Sequence, residues 1–237
     1  MPPHLPPPNM AETLLLEGPA GLIETLIAMP SAAPGASAGG LCASYVSPAA
    51  SPSGIAVICH PHPLHGGALS NKVTYTLAAS ALKCGLVAAR FNFRGVGKSE
   101  GVHDEGRGET DDTLAVIAWL RERLPGKKLL LAGFSFGAFV SLKAAASAKP
   151  ALQISIAPPF KYFASEPLPQ RPQAPWLVVH ARDDEVVDFD ETHRVLAQYQ
   201  PPPELVTLET AGHFFHGKLG ELQQIVTGFI ERSCAGI

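Results

Sequence analysis

From Ser53 to the C-terminus, short β-rich apolar runs alternate with longer segments of helical pattern. That alternation restricts the chain to a mostly parallel central sheet with helices on both faces. The apolar runs are Ile55–Cys59, Leu86–Phe93, Lys128–Gly133, Leu152–Ile156, Trp176–His180 and Leu205–Thr210. Between them the spacing predicts helices at about Lys72–Lys83, Thr110–Arg123, Phe136–Ala148, Asp188–Tyr199 and Gly220–Arg232. Asp111 and Asp112 open the second helix, where its macrodipole favours acids. Upstream, ETLLLEGPAGLIETLIAMP reads as two apolar runs around Gly18-Pro19-Ala20-Gly21, a hairpin signal. This antiparallel hairpin brings the sheet to about eight strands.

With 237 residues, 46% of them hydrophobic and 16% charged, the chain suffices for one substantial core. Residues 11–237 are therefore expected to form a single domain. The proline-rich segment 1–10 is expected to be a disordered tail, and SAAPGASAGG an unstructured loop. A net charge of -3 leaves no electrostatic footprint for nucleic acid or an anionic membrane surface. No apolar run approaches the roughly 18 residues of a membrane span, and residues 1–10 lack the basic and apolar regions of a signal peptide. Cys42, Cys59, Cys84 and Cys234 are scattered without a CxxC pair, as expected for free thiols in the cytoplasm.

In open α/β sheets, ligands bind in the loops that leave the carboxyl ends of the strands. Here those loops read CHPHPLHGG, FRGVGKSEG, GFSFG, APPF, HARDDEVV and TAGHFFHG. GVGKS suggests a phosphate cradle, but Asn92 stands where a P-loop requires its first glycine. Gly101, Gly106 and Gly108 follow too closely for the helix that would face the phosphates.

A nucleophile elbow is written GxSxG, because the strained serine turn leaves room only for glycine two residues either side. Ser37, Ser99 and Ser135 each satisfy the pattern. Ser37 lies in the low-complexity loop, and the glycines after Ser99 oppose a following helix. Only Ser135 has an apolar strand before it and a helical segment after it. A serine hydroxyl needs a base, and the base needs an orienting carboxylate. Downstream, WLVVH leads into ARDDEVVD and LVTLET into AGHFFHG, which gives the order serine, acid, histidine at strand ends.

The segments CHPHPLHGGALSNKV, RFNFRGVGKSEG, GFSFGA, APP, DDEVV and GHFFHG resemble those of small, lidless bacterial α/β-hydrolases related to dienelactone hydrolases and short-chain carboxylesterases. The resemblance runs from about Gly54 to Gly217. It implies an α/β-hydrolase fold with no large lid domain and a triad of Ser135, Asp184 and His213. Asp183 is the alternative acid, whichever of the two is not used being a solvated surface residue. His216 is expected to be a structural or rim histidine. The RGxGxS segment becomes the turn after its strand, with Arg94 pairing Glu109 or Asp112. Dienelactone hydrolases proper use a cysteine nucleophile, so Ser135 separates this chain from that activity. Similar small hydrolases often form homodimers.

His60, His62 and His65 also reproduce the histidines of the HxHxDH motif of metallo-β-lactamase-type hydrolases, but Leu64 replaces the aspartate and Pro61 and Pro63 stiffen the loop. No metal or other cofactor is expected. In the hydrolase reading the same loop supplies one oxyanion-hole N–H, from His62 or else Leu64, and Phe136 supplies the other. Leu64, Phe134, Phe136, Phe160 and Phe214 are expected to line an apolar acyl pocket. The expected activity is hydrolysis of a small-molecule ester through an acyl-enzyme, with thioesters, lactones and peptides as alternatives on the same triad. A binding protein that kept the fold without turnover is the alternative of another class.

Overall fold

The computed structural model describes residues 4–31 and 52–234. Ser37 and Cys42 lie outside the described residues. One eight-stranded sheet runs through the molecule in the order β1-β2-β4-β3-β5-β6-β7-β8. β1 (Ala11–Gly18) and β2 (Gly21–Ala28) form the predicted hairpin, and β2 continues antiparallel onto β4 (Leu86–Phe91). From β4 onward all neighbours are parallel: β3 (Gly54–Cys59), β5 (Lys128–Phe134), β6 (Leu152–Ile156), β7 (Trp176–Ala181) and β8 (Glu204–Leu208).

Strand alternation sorts the core into two faces. In β3, Ala56 and Ile58 point toward α1 (Lys72–Lys83) and α5 (Leu219–Cys234). Ile55, Val57 and Cys59 point toward α2 (Arg107–Arg123) and α3 (Phe136–Ala148). A third apolar cluster joins α3 to α4 (Phe189–Leu196) through Phe139, Phe160, Trp176 and Tyr199. Buried on both faces, the central strands are mostly apolar, with Gln153 and Ser155 of β6 and His180 of β7 as buried polar exceptions.

α2 begins earlier than its sequence suggests. Glu109 is fully buried and accepts hydrogen bonds from the N–H groups of Asp104 (2.9 Å) and Gly106 (2.8 Å), a cap that nucleates the helix before Thr110. Gly108 is tolerated inside it because a Cβ there would meet the Arg94 guanidinium. Arg94 in turn grips Asp112 through two hydrogen bonds of 3.0 and 2.8 Å. The buried Asp112 is thus chiefly an ion-pair partner rather than a macrodipole residue.

Residues 4–10, expected to lack order, lie along the sheet edge. Pro6 is buried, Leu5 packs against the α2-side core, and Met29 N–H donates to Met10 O at 2.9 Å. Proline loses little further conformational freedom on ordering, so weak contacts suffice to hold such a segment. Between β6 and β7 there is a single 3₁₀ turn at Phe160–Phe163 and no lid domain.

Candidate active site

Ser135 stands between β5 and α3 with φ 52° and ψ -122°, a strained conformation that turns its Oγ out of the sheet. The two flanking glycines are dictated by close approach. A Cβ on Gly133 would strike the Gly137 carbonyl, and one on Gly137 would strike the carbonyls of Cys59 and His60. β3 and the first turn of α3 are therefore pressed together around the serine.

His213 arrives from the loop after β8 and Asp184 from the loop after β7. His213 Nε2 lies 3.1 Å from Ser135 Oγ, and its Nδ1 lies 2.8 Å from Asp184 Oδ2. The imidazole rests on Phe134 at a ring separation of 4.9 Å, and the edge of Phe214 covers its outer side at 5.0 Å. His216 is exposed at the rim beyond Phe214.

The three consecutive acids after β7 each hold a different part of the histidine loop. Asp183 accepts the N–H groups of Ala211 and Gly212, both at 2.9 Å, so it is a loop clamp rather than a merely solvated acid. Those two donors hold its carboxyl below the usual carboxylate range. Glu185 accepts the His213 N–H at 3.1 Å. Asp184, fully buried at its side chain, takes the His213 ring and also the N–H groups of Val186 and Val187. A further donor was not legible as a site residue: His180, at the end of β7, places Nε2 3.1 Å from Asp184 Oδ2. Burial alone would push the Asp184 carboxyl up. The hydrogen bonds from His180, His213 and Val187 outweigh it and hold the group far below the ordinary carboxylate range.

The histidine-rich loop divides by function. His60 is fully buried; its Nδ1 donates to Pro61 O at 2.6 Å and its Nε2 accepts the Phe93 N–H at 3.0 Å. Nε2 ties the exit of β3 to that of β4 and Nδ1 is held within its own loop, so with both nitrogens engaged this ring cannot join His62 and His65 on a metal. Burial lowers its pKa to about 4, opposed by the hydrogen bond to Pro61 O, which raises it, and helped slightly by the nearby His62. His62 accepts the Leu64 N–H at its own Nδ1 (3.2 Å), which removes Leu64 as an oxyanion donor.

GVGKS serves as a turn. Lys98 N–H and the Asn92 amide both donate to Glu24, while Ser99 Oγ donates to Asn92 O at 2.6 Å and accepts the Glu24 N–H at 2.9 Å. The backbone that might have cradled phosphate is engaged by a carboxylate of β2.

A cavity of about 290 Å³ opens beside Ser135 and differs from the pocket expected from sequence. His62, His65, His103, Phe136, Tyr162 and Phe163 form its walls. Of the expected lining only Phe136 contributes. Phe134 alternates onto the opposite sheet face beneath His213, and Phe160 packs against Tyr199 in the third core cluster. Leu64 points outward at 70% exposure, and Phe214 shields the imidazole instead. The 3₁₀ turn that carries Tyr162 and Phe163 gave no periodic signal from which to foresee them.

Sheet order, elbow and strand-end loops place the chain among the α/β serine hydrolases that lack a lid. Solved structures agree: a lidless α/β serine hydrolase of Xanthomonas campestris is 37% identical over 97% of both chains, with a TM-score of 0.82. An α/β serine hydrolase homologue from Coxiella burnetii is 42% identical over 91% of this chain and 95% of that one, with a TM-score of 0.78. The Pyrococcus furiosus esterase Pf2001 shares the fold at 16% identity, covering 94% of this chain and 92% of that one, with a TM-score of 0.71. Residues 40–165 match the X-Pro dipeptidyl-peptidase (S15) family, and the chain belongs to it.

Proposed function

We propose that this chain hydrolyses small carboxylic esters through an acyl-enzyme on Ser135. The observation that carries the reading is the 3.1 Å approach of His213 Nε2 to the hydroxyl of a serine in an elbow conformation. His213 Nε2 takes the Oγ proton as Oγ bonds to the ester carbonyl carbon, and the carbonyl π electrons move to oxygen. The N–H groups of Phe136 and His62 receive that oxyanion; Phe136 opens α3, where its N–H has no intrahelical acceptor. Collapse of the intermediate breaks the bond to the alkoxide, which leaves with the proton from Nε2. Water then gives a proton to His213, attacks the acyl carbon, and releases the carboxylic acid as Oγ recovers its proton. Asp184 orients the ring and balances the imidazolium throughout.

The S15 family name supports a second reading on the same triad, cleavage after an X-Pro dipeptide. That match ends at residue 165, so it includes Ser135 but neither Asp184 nor His213. The reduced, buried Cys59 is consistent with a cytoplasmic enzyme.

The test is turnover of p-nitrophenyl acetate and butyrate by wild type and Ser135→Ala, beside an Xaa-Pro p-nitroanilide. Ester turnover that disappears in the variant, with fluorophosphonate label on the Ser135 peptide, supports the proposal. Equal rates for both proteins would end it, and turnover confined to the anilide would replace it with the peptidase reading.

A further inference from the structure

We infer that the cavity beside Ser135 is an acyl pocket shaped for a flat ring, so that the preferred substrates are esters of aromatic acids. The inference rests on the ester-hydrolase reading and deepens it.

The side of the serine on which the cavity lies assigns its occupant. The leaving alcohol must take its proton from His213 Nε2, so it departs on the His213 side. The cavity is lined by Ser135, Phe136 and His62 but by neither His213 nor Phe214. It therefore holds the other half of the ester, the acyl group.

The walls then select among acyl groups. His62 stacks on His65 with centroids 4.4 Å apart, and lies 4.9 Å from Phe136 and 5.0 Å from His103. Phe163 lies 5.9 Å from Phe136 and is held by face-to-face stacking on Phe139 at 3.7 Å. Rings fixed at such separations offer faces and edges to another ring, an arrangement that adds attraction beyond the area buried. Tyr162, 64% exposed, adds a further aromatic wall on the solvent side. About 290 Å³ is at the small end of ligand pockets, enough for one ring on a short linker and too little for a long alkyl chain. Glu105 in the cavity wall disfavours an acyl group that carries a second carboxylate, while Glu166 is neutralised by Lys143 at 2.6 Å. Burial, together with His65 and His103 nearby, lowers the pKa of His62, so that wall favours neutral guests.

The experiment compares kcat/KM of the full chain for p-nitrophenyl 3-phenylpropanoate, p-nitrophenyl 3-cyclohexylpropanoate and p-nitrophenyl acetate. The first two share a carbon skeleton and differ in whether the ring is flat. The phenyl ester is expected to be favoured over the cyclohexyl ester by about threefold to tenfold. Tyr162→Ser and His65→Ser, both at exposed positions where loss of the ring opens no core, are expected to move that ratio toward one. A cyclohexyl ester hydrolysed as well as the phenyl ester, or a ratio unmoved in both variants, would overturn the acyl-pocket assignment. If acetate turnover is lost in Ser135→Ala while no ring preference exists, this inference alone falls. If wild type hydrolyses none of the three esters, the ester-hydrolase reading falls and takes the inference with it.

Discussion

Asp184 accepts hydrogen bonds from two backbone N–H groups and two imidazoles, so its position is determined from four directions. His180 is the donor from outside this loop, its Nε2 shared between Asp184 Oδ2 and Val187 O, both at 3.1 Å. Its hydrogen bond is to a charged acceptor, worth about 1.5–3 kcal/mol. His180→Phe, which keeps a buried ring, is therefore expected to lower kcat by about 10- to 100-fold with little change in KM. His180→Gln should recover part of the loss, since its amide nitrogen can take the place of the donating Nε2; a kcat unchanged in both variants would show that the ring only fills space. His60 supports a different expectation. Its folded pKa is near 4 against an ordinary value near 6.5, so the unfolded chain binds the proton first as pH falls. The folded state is thus unpenalised above about pH 6.5 and loses about 3 kcal/mol relative to the unfolded state between pH 6.5 and 4. An NMR titration should find one imidazole with a midpoint near 4, and urea denaturation of His60→Gln should show a correspondingly weaker acid destabilisation. A His60 midpoint near 6.5 would remove this contribution altogether.

Among the elements, those with strong periodicity were legible: the β1–β2 hairpin, α1 and β6 lie where the sequence put them. The start of α2 was not, because its signal is Glu109 reaching back to backbone donors through Gly106 and Gly108, two residues that by themselves argue against a helix. The elbow was legible because GFSFG sits between an apolar strand and a helix. Its energetic reason appears only in three dimensions, where Gly137 lets α3 approach the end of β3. Gly137→Ala would push its Cβ into the carbonyls of Cys59 and His60, which belong to backbone and cannot rotate away. The expected result is a loss of about 1–3 kcal/mol in stability, as for other overpacked sites. A displacement near 1 Å at the serine also implies a fall of about 100-fold in kcat. Gly220→Ala, in α5 with open space at its Cβ, is the control and should be neutral or stabilising by up to about 1 kcal/mol. Equal behaviour of the two variants would contradict the close-approach argument.

At the scale of the whole molecule, every strand from β3 to β8 delivers its exit loop to one edge of the sheet. The candidate chemistry therefore converges on that edge from several separate loops between residues 60 and 216. Chain order was enough to set a serine, an acid and a histidine at strand ends, whereas the choice of Asp184 over Asp183 and of His213 came from the family resemblance. The cavity walls depend on which way short turns face, and no period in the sequence encodes that. The connection from β6 to β7 spans residues 157–175 and holds one 3₁₀ turn, too little for a lid domain that covers the serine and opens at a lipid surface. Lid movement is what makes a hydrolase rate jump when substrate separates from solution, because the interface shifts a closed population to an open one. Initial rates on p-nitrophenyl butyrate should then follow a hyperbola up to the solubility limit and show no upward break beyond it. A sharp rise at the onset of emulsion would mean that some other part of the chain closes over the site, and would overturn the reading of an uncovered active site.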